Sequence, residues 1–380
     1  MKPFDVYPLV DITPIRAEGY KLWDELGNEY IDLYGGHAVI SIGHNHPHYL
    51  MRIKEQLEKI SFYSNSVQIP VQKEVAALLG QLSGYEDYDL FLCSSGAEAN
   101  ENALKLASFE TGKAGIISFK GAFHGRTSGA VSLTDNPKII APFNASHAAH
   151  ILPMDLQVVE DTLKTGEIAG IIIEGIQGVA GIQVPDESFL LGLQSLCKHY
   201  GAKLILDEVQ SGYGRTGKFF AHQWAEGLQP DLITVAKGMG NGFPIGGVLI
   251  HPDIPAKHGM LGTTFGGNHL ACVAALAVLE VMQSENLSEN ALEIGKKLKS
   301  RLESMDGITD VRGRGLMIGF DVETEAAPVR SALIHDHRIF TGNAANKHTI
   351  RILPPLNISA VAIDYFLDSL EKALALNKVS

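Results

Sequence analysis

Between residues 90 and 250 the chain repeats one pattern: a short run of apolar residues, then a helical stretch. The runs are Leu90-Phe-Leu-Cys, Gly115-Ile-Ile-Ser-Phe, Ala169-Gly-Ile-Ile-Ile, Leu204-Ile-Leu, Leu232-Ile-Thr-Val and Gly247-Val-Leu-Ile. Successive side chains of a strand point to opposite faces, so a strand wetted on one face alternates apolar and polar residues. Runs that are apolar throughout need cover on both faces, which helices between parallel strands supply. The pattern predicts an α/β fold with a mostly parallel sheet covered by helices. With 380 residues, 45% of them hydrophobic, the chain can build one large domain with a smaller one attached.

The flanking regions fill in that plan. Residues 20–34 read as a hairpin turning at Leu26-Gly-Asn28, and apolar spacing of three and four predicts helices over 48–60, 70–83 and 269–283. Beyond these lies an α-β-β-α-β-α unit. It has a helix over 287–303, strands over 308–312 and 316–322, a helix over 327–335, a strand at Ile350-Arg-Ile-Leu and a last helix from 359. The expected division is an N-terminal segment (1–47) joining the small domain, a large domain (48–284) and a C-terminal small α+β domain (285–380).

A formal charge of −12 argues against nucleic acid or an anionic membrane as principal partner, and leaves anionic small molecules open. Cys93, Cys197 and Cys272 form no Cys-x-x-Cys pair and read as small buried hydrophobes in a reducing compartment. The N-terminus lacks a signal-peptide core, and the longest apolar stretch, Ala271 to Leu279, is too short for a bilayer. A cytoplasmic protein is expected.

Two charges at strand ends carry the chemistry. Leu204-Ile-Leu runs into Asp207, and Leu232-Ile-Thr-Val runs into Ala236 and Lys237, thirty residues later. A strand, a crossover and the next parallel strand take about 30 residues, so both charges leave neighbouring strands on the side where open α/β sheets bind ligands. An amine beside a carboxylate there suits pyridoxal phosphate, with the lysine joined to its aldehyde and the acid holding the pyridine nitrogen protonated. Taken alone, Lys237 reads as a solvated surface charge and Asp207-Glu208 as a cap for the next element.

Other segments supply what such a site needs. Ser94-Ser95-Gly96-Ala97 precedes a helix expected over 99–108, and small residues there leave backbone N–H groups open to a phosphate. Phe123-His124-Gly125-Arg126 follows another strand, offering a ring to cover a flat heterocycle and a guanidinium to clamp a carboxylate. Gly212-Tyr-Gly214-Arg-Thr-Gly217 matches the dinucleotide pattern G-x-G-x-x-G, so an oxidoreductase is the rival; Asp207-Glu-Val-Gln-Ser intervenes after the strand, however, and no helix completes the unit. His44, His46 and His48 alternate as metal ligands on a strand would, yet Pro47 interrupts the strand and no acid or cysteine stands close by in sequence, so no metal is expected.

With these segments in hand, the chain resembles the class III pyridoxal-phosphate aminotransferases, in their ornithine and acylornithine branch, over nearly its whole length. The resemblance is carried by Leu206-Asp-Glu-Val-Gln-x-Gly-x-Gly-Arg-Thr-Gly217, Pro230 through Lys237, Ser95-Gly-Ala-Glu-Ala-Asn100, Phe123-His-Gly-Arg-Thr127, Thr264-Phe-Gly-Gly-Asn268 and Gly43-His-Asn-His-Pro47. It implies the fold type I architecture, pyridoxal 5'-phosphate as cofactor, and a homodimer with active sites at the subunit interface. By the same resemblance Lys237 is the cofactor lysine and proton carrier, and Asp207 the partner of the pyridine nitrogen. Val209 lies under the ring, Gln210 near its phenolic oxygen, and Phe123 on the other face. Ser95, Gly96 and Ala97 hold the phosphate, with Thr264 of the partner subunit. Arg351 binds a substrate α-carboxylate and Arg126 the distal carboxylate or acyl end.

The implied reaction moves an amino group from an N-acylornithine, acetyl or succinyl, to 2-oxoglutarate in arginine biosynthesis; the alternatives are ornithine or 4-aminobutyrate transamination. One departure stands out. Where the family shows a second glutamate in Glu-Pro-Ile-Gln-Gly-Glu, this chain has Val179 after Glu174-Gly-Ile-Gln-Gly. Valine cannot pair with Arg351. The expectation is a permanently free Arg351, with both substrates reacting beside their α-carboxylates.

Overall fold

The computed structural model describes residues 1–377. A seven-stranded sheet forms its centre, in the spatial order Asp89–Cys93, Gly246–Ile250, Leu232–Val235, Lys203–Asp207, Ile168–Glu174, Gly115–Phe119 and Ala149–Leu152. Gly246–Ile250 runs antiparallel to both neighbours, and the pairings from Leu232–Val235 outward to Ala149–Leu152 are parallel. Each of the six apolar runs is a strand of this sheet. The seventh strand, Ala149–Leu152, is an addition to the expected set; it lies at an edge, half-buried, and its Ala-His-Ile-Leu sequence lacks the uniform apolar signature.

The uniform runs have a simple cause. Ile171, Ile173, Leu204 and Leu206 enter one core cluster, while Ile172 and Ile205, between them in sequence, enter another on the opposite face. The helix Glu187–Tyr200 covers the first face with Phe189, Leu190 and Leu193. The helix Gly96–Thr111 covers the second with Ala99, Ala103 and Leu106. A third cluster joins Ile233, Val235 and Leu249 to the apolar helix His269–Ser284, whose N-cap Asn268 accepts a hydrogen bond from the amide of Ala271 at 3.0 Å.

Around this centre lie two four-stranded sheets. In one, Pro14–Glu18, Lys21–Asp24 and Glu29–Asp32 form a meander, and Glu29–Asp32 pairs in parallel with Ile339–Phe340. The other consists of Ile308–Arg314, Met317–Val322, Thr349–Ile352 and Gly342–Asn343, all antiparallel. The helices Leu287–Glu303, Ala326–His335 and Ala360–Asn377 complete the predicted α-β-β-α-β-α order, with the short strands Ile339–Phe340 and Gly342–Asn343 added. Among the described residues no single helix is long and apolar enough to cross a membrane.

Candidate active site

The carboxyl ends of the central strands converge on one cavity of about 410 Å³, within the size range of small-molecule sites. Strand register sets Glu174 opposite Asp207, and Asp207 opposite Thr234. Ser95, Gly96, Ala97, Phe123, Arg126, Asp207, Val209, Gln210 and Lys237 all line this cavity. Residues far apart in the chain are gathered because their loops leave the same end of one sheet.

Asp207 is held from three sides. Its Oδ2 receives the Asn100 side-chain amide at 2.9 Å and lies 2.7 Å from His124 Nδ1, while its Oδ1 accepts the Val209 amide at 3.1 Å. Asn100 is itself fixed, accepting from the Thr234 hydroxyl at 2.7 Å and donating to the His124 carbonyl at 2.7 Å. The adjacent Glu208 works differently. It binds the Ala221 and His222 amides, the His222 ring and the Ser211 hydroxyl, and so ties down the following loop.

Lys237 stands half-buried in the cavity wall, and its backbone is left-handed at φ 40°, a conformation that costs a non-glycine residue about 1–2 kcal/mol. Desolvation of its amine lowers the pKa from the ordinary lysine value, against the opposing pull of Asp207 and Glu174 and with help from Arg351. The shift is toward the neutral, nucleophilic amine. Glu174 moves the other way. Burial raises its carboxyl to about 7, His124 lowers it, Asp207 raises it further, and the amides of Phe123 (3.0 Å) and Gly178 (2.9 Å) draw it back down.

At the other end, Ser95 caps the helix Gly96–Thr111, its hydroxyl accepting from the Glu98 amide at 3.2 Å while the Glu98 carboxylate takes the Ser94 amide at 2.8 Å. First-turn amides have no acceptor inside the helix and face an incoming anion. A Cβ on Gly96 would stand 2.6 Å from Val209 Cγ1, so only glycine lets this backbone lie flush with the cavity floor. The buried His124 Nε2 and Gln210 Oε1 have no partner among the described residues. An anion cradle, an apolar floor, a fixed carboxylate and a lysine shifted toward neutrality together fit pyridoxal phosphate.

Five expectations need correction or placement. Arg351 is not free. Its Nε donates to the Asn343 carbonyl at 2.5 Å, its Nη1 to the Gly178 carbonyl at 3.1 Å and its Nη2 to the Tyr34 hydroxyl at 2.7 Å. A buried guanidinium must satisfy its donors, and where the Val179 side chain offers no acceptor, two carbonyls and a phenol serve instead. Thr264 lies on an exposed loop and does not line the cavity of its own chain, and Arg126 is exposed at the cavity mouth. The segment Gly212–Gly217 is followed by no regular helix, and its buried Arg215 donates to the carbonyls of Leu316 (3.2 Å) and Pro354 (2.6 Å), bracing the C-terminal part of the chain. The three histidines separate, His44 to Asp32, His46 to Glu285 and His48 to Glu280.

Asn100 and His124 stand inside recognised motifs, though nothing in those motifs displays their joint grip on Asp207. Tyr34 gives no signal at all, since nothing local marks a tyrosine 317 positions from its arginine.

The chain belongs to the class III aminotransferases: the family model Aminotransferase class-III matches residues 5–374. Among its relatives, the acetylornithine aminotransferase of Archaeoglobus fulgidus is 42% identical over 356 residues, covering 92% of each chain. That of Methanopyrus kandleri is 39% identical over 379 residues, covering 98% of this chain and 94% of its own. Among solved structures, the ornithine aminotransferase of Toxoplasma gondii superposes with a TM-score of 0.91 at 27% identity, covering 98% of this chain and 93% of that one. The acetylornithine aminotransferase of Elizabethkingia anophelis gives 0.83 at 30%, covering 98% and 96%. The fold type I architecture and an aminotransferase activity on amino and oxo acids follow from the family.

Proposed function

We propose that this protein moves the terminal amino group of N-acetylornithine to 2-oxoglutarate, yielding the N-acetylglutamate semialdehyde and glutamate, with pyridoxal phosphate as cofactor. The observation that carries the reading is Lys237 in the cavity wall, shifted toward its neutral form beside a clamped Asp207, in a chain 42% identical to an enzyme named for acetylornithine.

Pyridoxal phosphate, when bound, supplies an aldehyde that takes up the amino group and a pyridine ring that draws electrons from the bond to be broken. Lys237 would hold that aldehyde through its amine and would carry the proton at the carbon that gives up or receives nitrogen. Asp207, oriented by Asn100 and His124, would face the pyridine nitrogen and hold a proton there. Val209 and Phe123 would cover the ring and keep water from it, and Gln210 would hold its polar edge. Ser95, Gly96 and Ala97 would hold the phosphate at the helix N-terminus. Arg126 receives the carboxylate and acyl end of the substrate, and Arg351 the α-carboxylate of glutamate.

The expectation that both substrates react beside an α-carboxylate does not survive this assignment. The α-nitrogen of N-acetylornithine is an amide and cannot be transferred. Its only free amine sits at the other end, so Arg351 meets a carboxylate in the glutamate half-reaction alone.

We further propose a cytoplasmic homodimer, with Thr264 of the partner subunit completing the phosphate site, and a division into segments 1–47, 48–284 and 285–380. The exposure of Phe265 (64%) and Phe62 (40%), in ring contact at 5.6 Å beside Thr264, supports an interface there.

A substrate panel tests the reading. Acetylornithine, succinylornithine, ornithine and 4-aminobutyrate are each paired with 2-oxoglutarate, and acetylornithine is expected to lead. Faster turnover of ornithine or 4-aminobutyrate would move the chain to another branch. Borohydride trapping and peptide mapping should label Lys237.

A further inference from the structure

Arg351 is buried behind the residues that line the cavity, bonded to Gly178 beside Val179 of the wall, and has an unusual set of partners. Two are backbone carbonyls, of Asn343 and Gly178, and the third is the hydroxyl of Tyr34. Asn343 is fixed by strand pairing with Ile350, and Gly178 by the Glu174 carboxylate on its amide. Among the described residues Tyr34 is therefore the only side-chain partner, and the only one that can leave without moving a strand or loop. Its ring also lies against the guanidinium, with Arg351 Cζ 5.4 Å from the ring centroid.

The chain after Tyr34 is shaped to deliver it. Gly35, Gly36, His37 and Ala38 are all left-handed, at φ 55°, 56°, 69° and 64°, a run that L-residues avoid. The Tyr34 hydroxyl lies 2.7 Å from His37 Nδ1, and the His37 carbonyl accepts from the Gln210 side chain at 3.1 Å. The turn thus ties the Arg351 partner to a residue of the cavity wall.

The two substrates make different demands on this site under the acylornithine reading, on which this inference rests. Glutamate brings an α-carboxylate to Arg351; N-acetylornithine brings only methylene. A glutamate at position 179 would neutralise the guanidinium in the second case, but the chain has Val179. We propose that Tyr34 is a specificity-determining residue. Its hydroxyl is the neutral, displaceable partner that holds Arg351 while the terminal amine reacts, and it gives way to the α-carboxylate of glutamate. A neutral hydroxyl takes one hydrogen bond from the guanidinium and brings no opposite charge, where a carboxylate can take two in parallel, so it concedes the guanidinium more readily than an acid would.

The test is Tyr34→Phe in the holoenzyme, with each half-reaction followed separately in single turnovers. For N-acetylornithine, kcat/KM is expected to fall about tenfold, the size of one hydrogen bond to a charged group. For glutamate it should hold or rise, and the unreactive dicarboxylate glutarate should bind at least as tightly by calorimetry. Adding Val179→Glu to Tyr34→Phe should restore the N-acetylornithine half-reaction, because the acid supplies the missing partner. Val179→Glu alone should raise KM for glutamate. Parallel losses in both half-reactions, weaker glutarate binding, or no change in either would overturn the role of Tyr34. Absence of acetylornithine turnover in the unmodified enzyme would instead overturn the substrate reading.

Discussion

Glu174 and Asp207 stand opposite each other at the ends of neighbouring parallel strands, two buried acids with different surroundings. Asp207 is gripped by an amide side chain, a histidine and a backbone amide. Glu174 receives two backbone amides, and burial with the nearby Asp207 charge raises its carboxyl to about 7.

Stability should record that difference. A carboxyl whose folded-state value is raised contributes stability that is full below its ordinary value of 4.5 and is lost as pH rises through about 7. The change is about 3 kcal/mol across that window. Glu174→Gln should remove this component, so the wild type should lose stability relative to the variant between pH 4.5 and 7. Melting both proteins at matched cofactor loading across that range measures it; parallel pH profiles would show that Glu174 does not titrate there.

Lys237→Ala should reduce turnover by roughly 10²–10⁴-fold, the range for a lost general base, and abolish borohydride labelling. Cofactor should still bind without the covalent link, since the proposed cradle at Ser95–Ala97 and the Asp207 carboxylate remain. Spectral titration of the variant separates these effects.

Gly96→Ala should weaken cofactor affinity by about tenfold or more while leaving the fold intact, because the new Cβ would meet Val209 Cγ1 at 2.6 Å and push the floor into the ring's place. Val209→Ala in the same chain should recover part of the loss by opening that space. Equilibrium binding of pyridoxal phosphate checks the pair, with circular dichroism as the control for folding.

Thr264→Ala should weaken phosphate binding several-fold although Thr264 lies outside its own chain's cavity. Light scattering should find a dimer in both proteins. An unchanged cofactor affinity would remove Thr264 from the site.

The strands are legible in the sequence because burial on both faces writes itself into local composition; Ile171, Ile172 and Ile173 are apolar whichever way they point. The helices Pro70–Ser83 and Leu287–Glu303 are equally plain, since their buried residues recur at three- and four-residue spacing. Lys237 and Asp207 are legible too, because each follows an apolar run at the spacing of one crossover. Ala149–Leu152 escapes because an edge strand needs cover on fewer sides.

What only the tertiary structure decided is partnership. That Arg351 is occupied and not free depends on Tyr34, Gly178 and Asn343, brought to it from three separate stretches of chain. Local sequence sets which residues prefer to be buried and which turns they tolerate. Which buried donor meets which acceptor depends on strand register and loop closure, and those are fixed only when the whole sheet assembles.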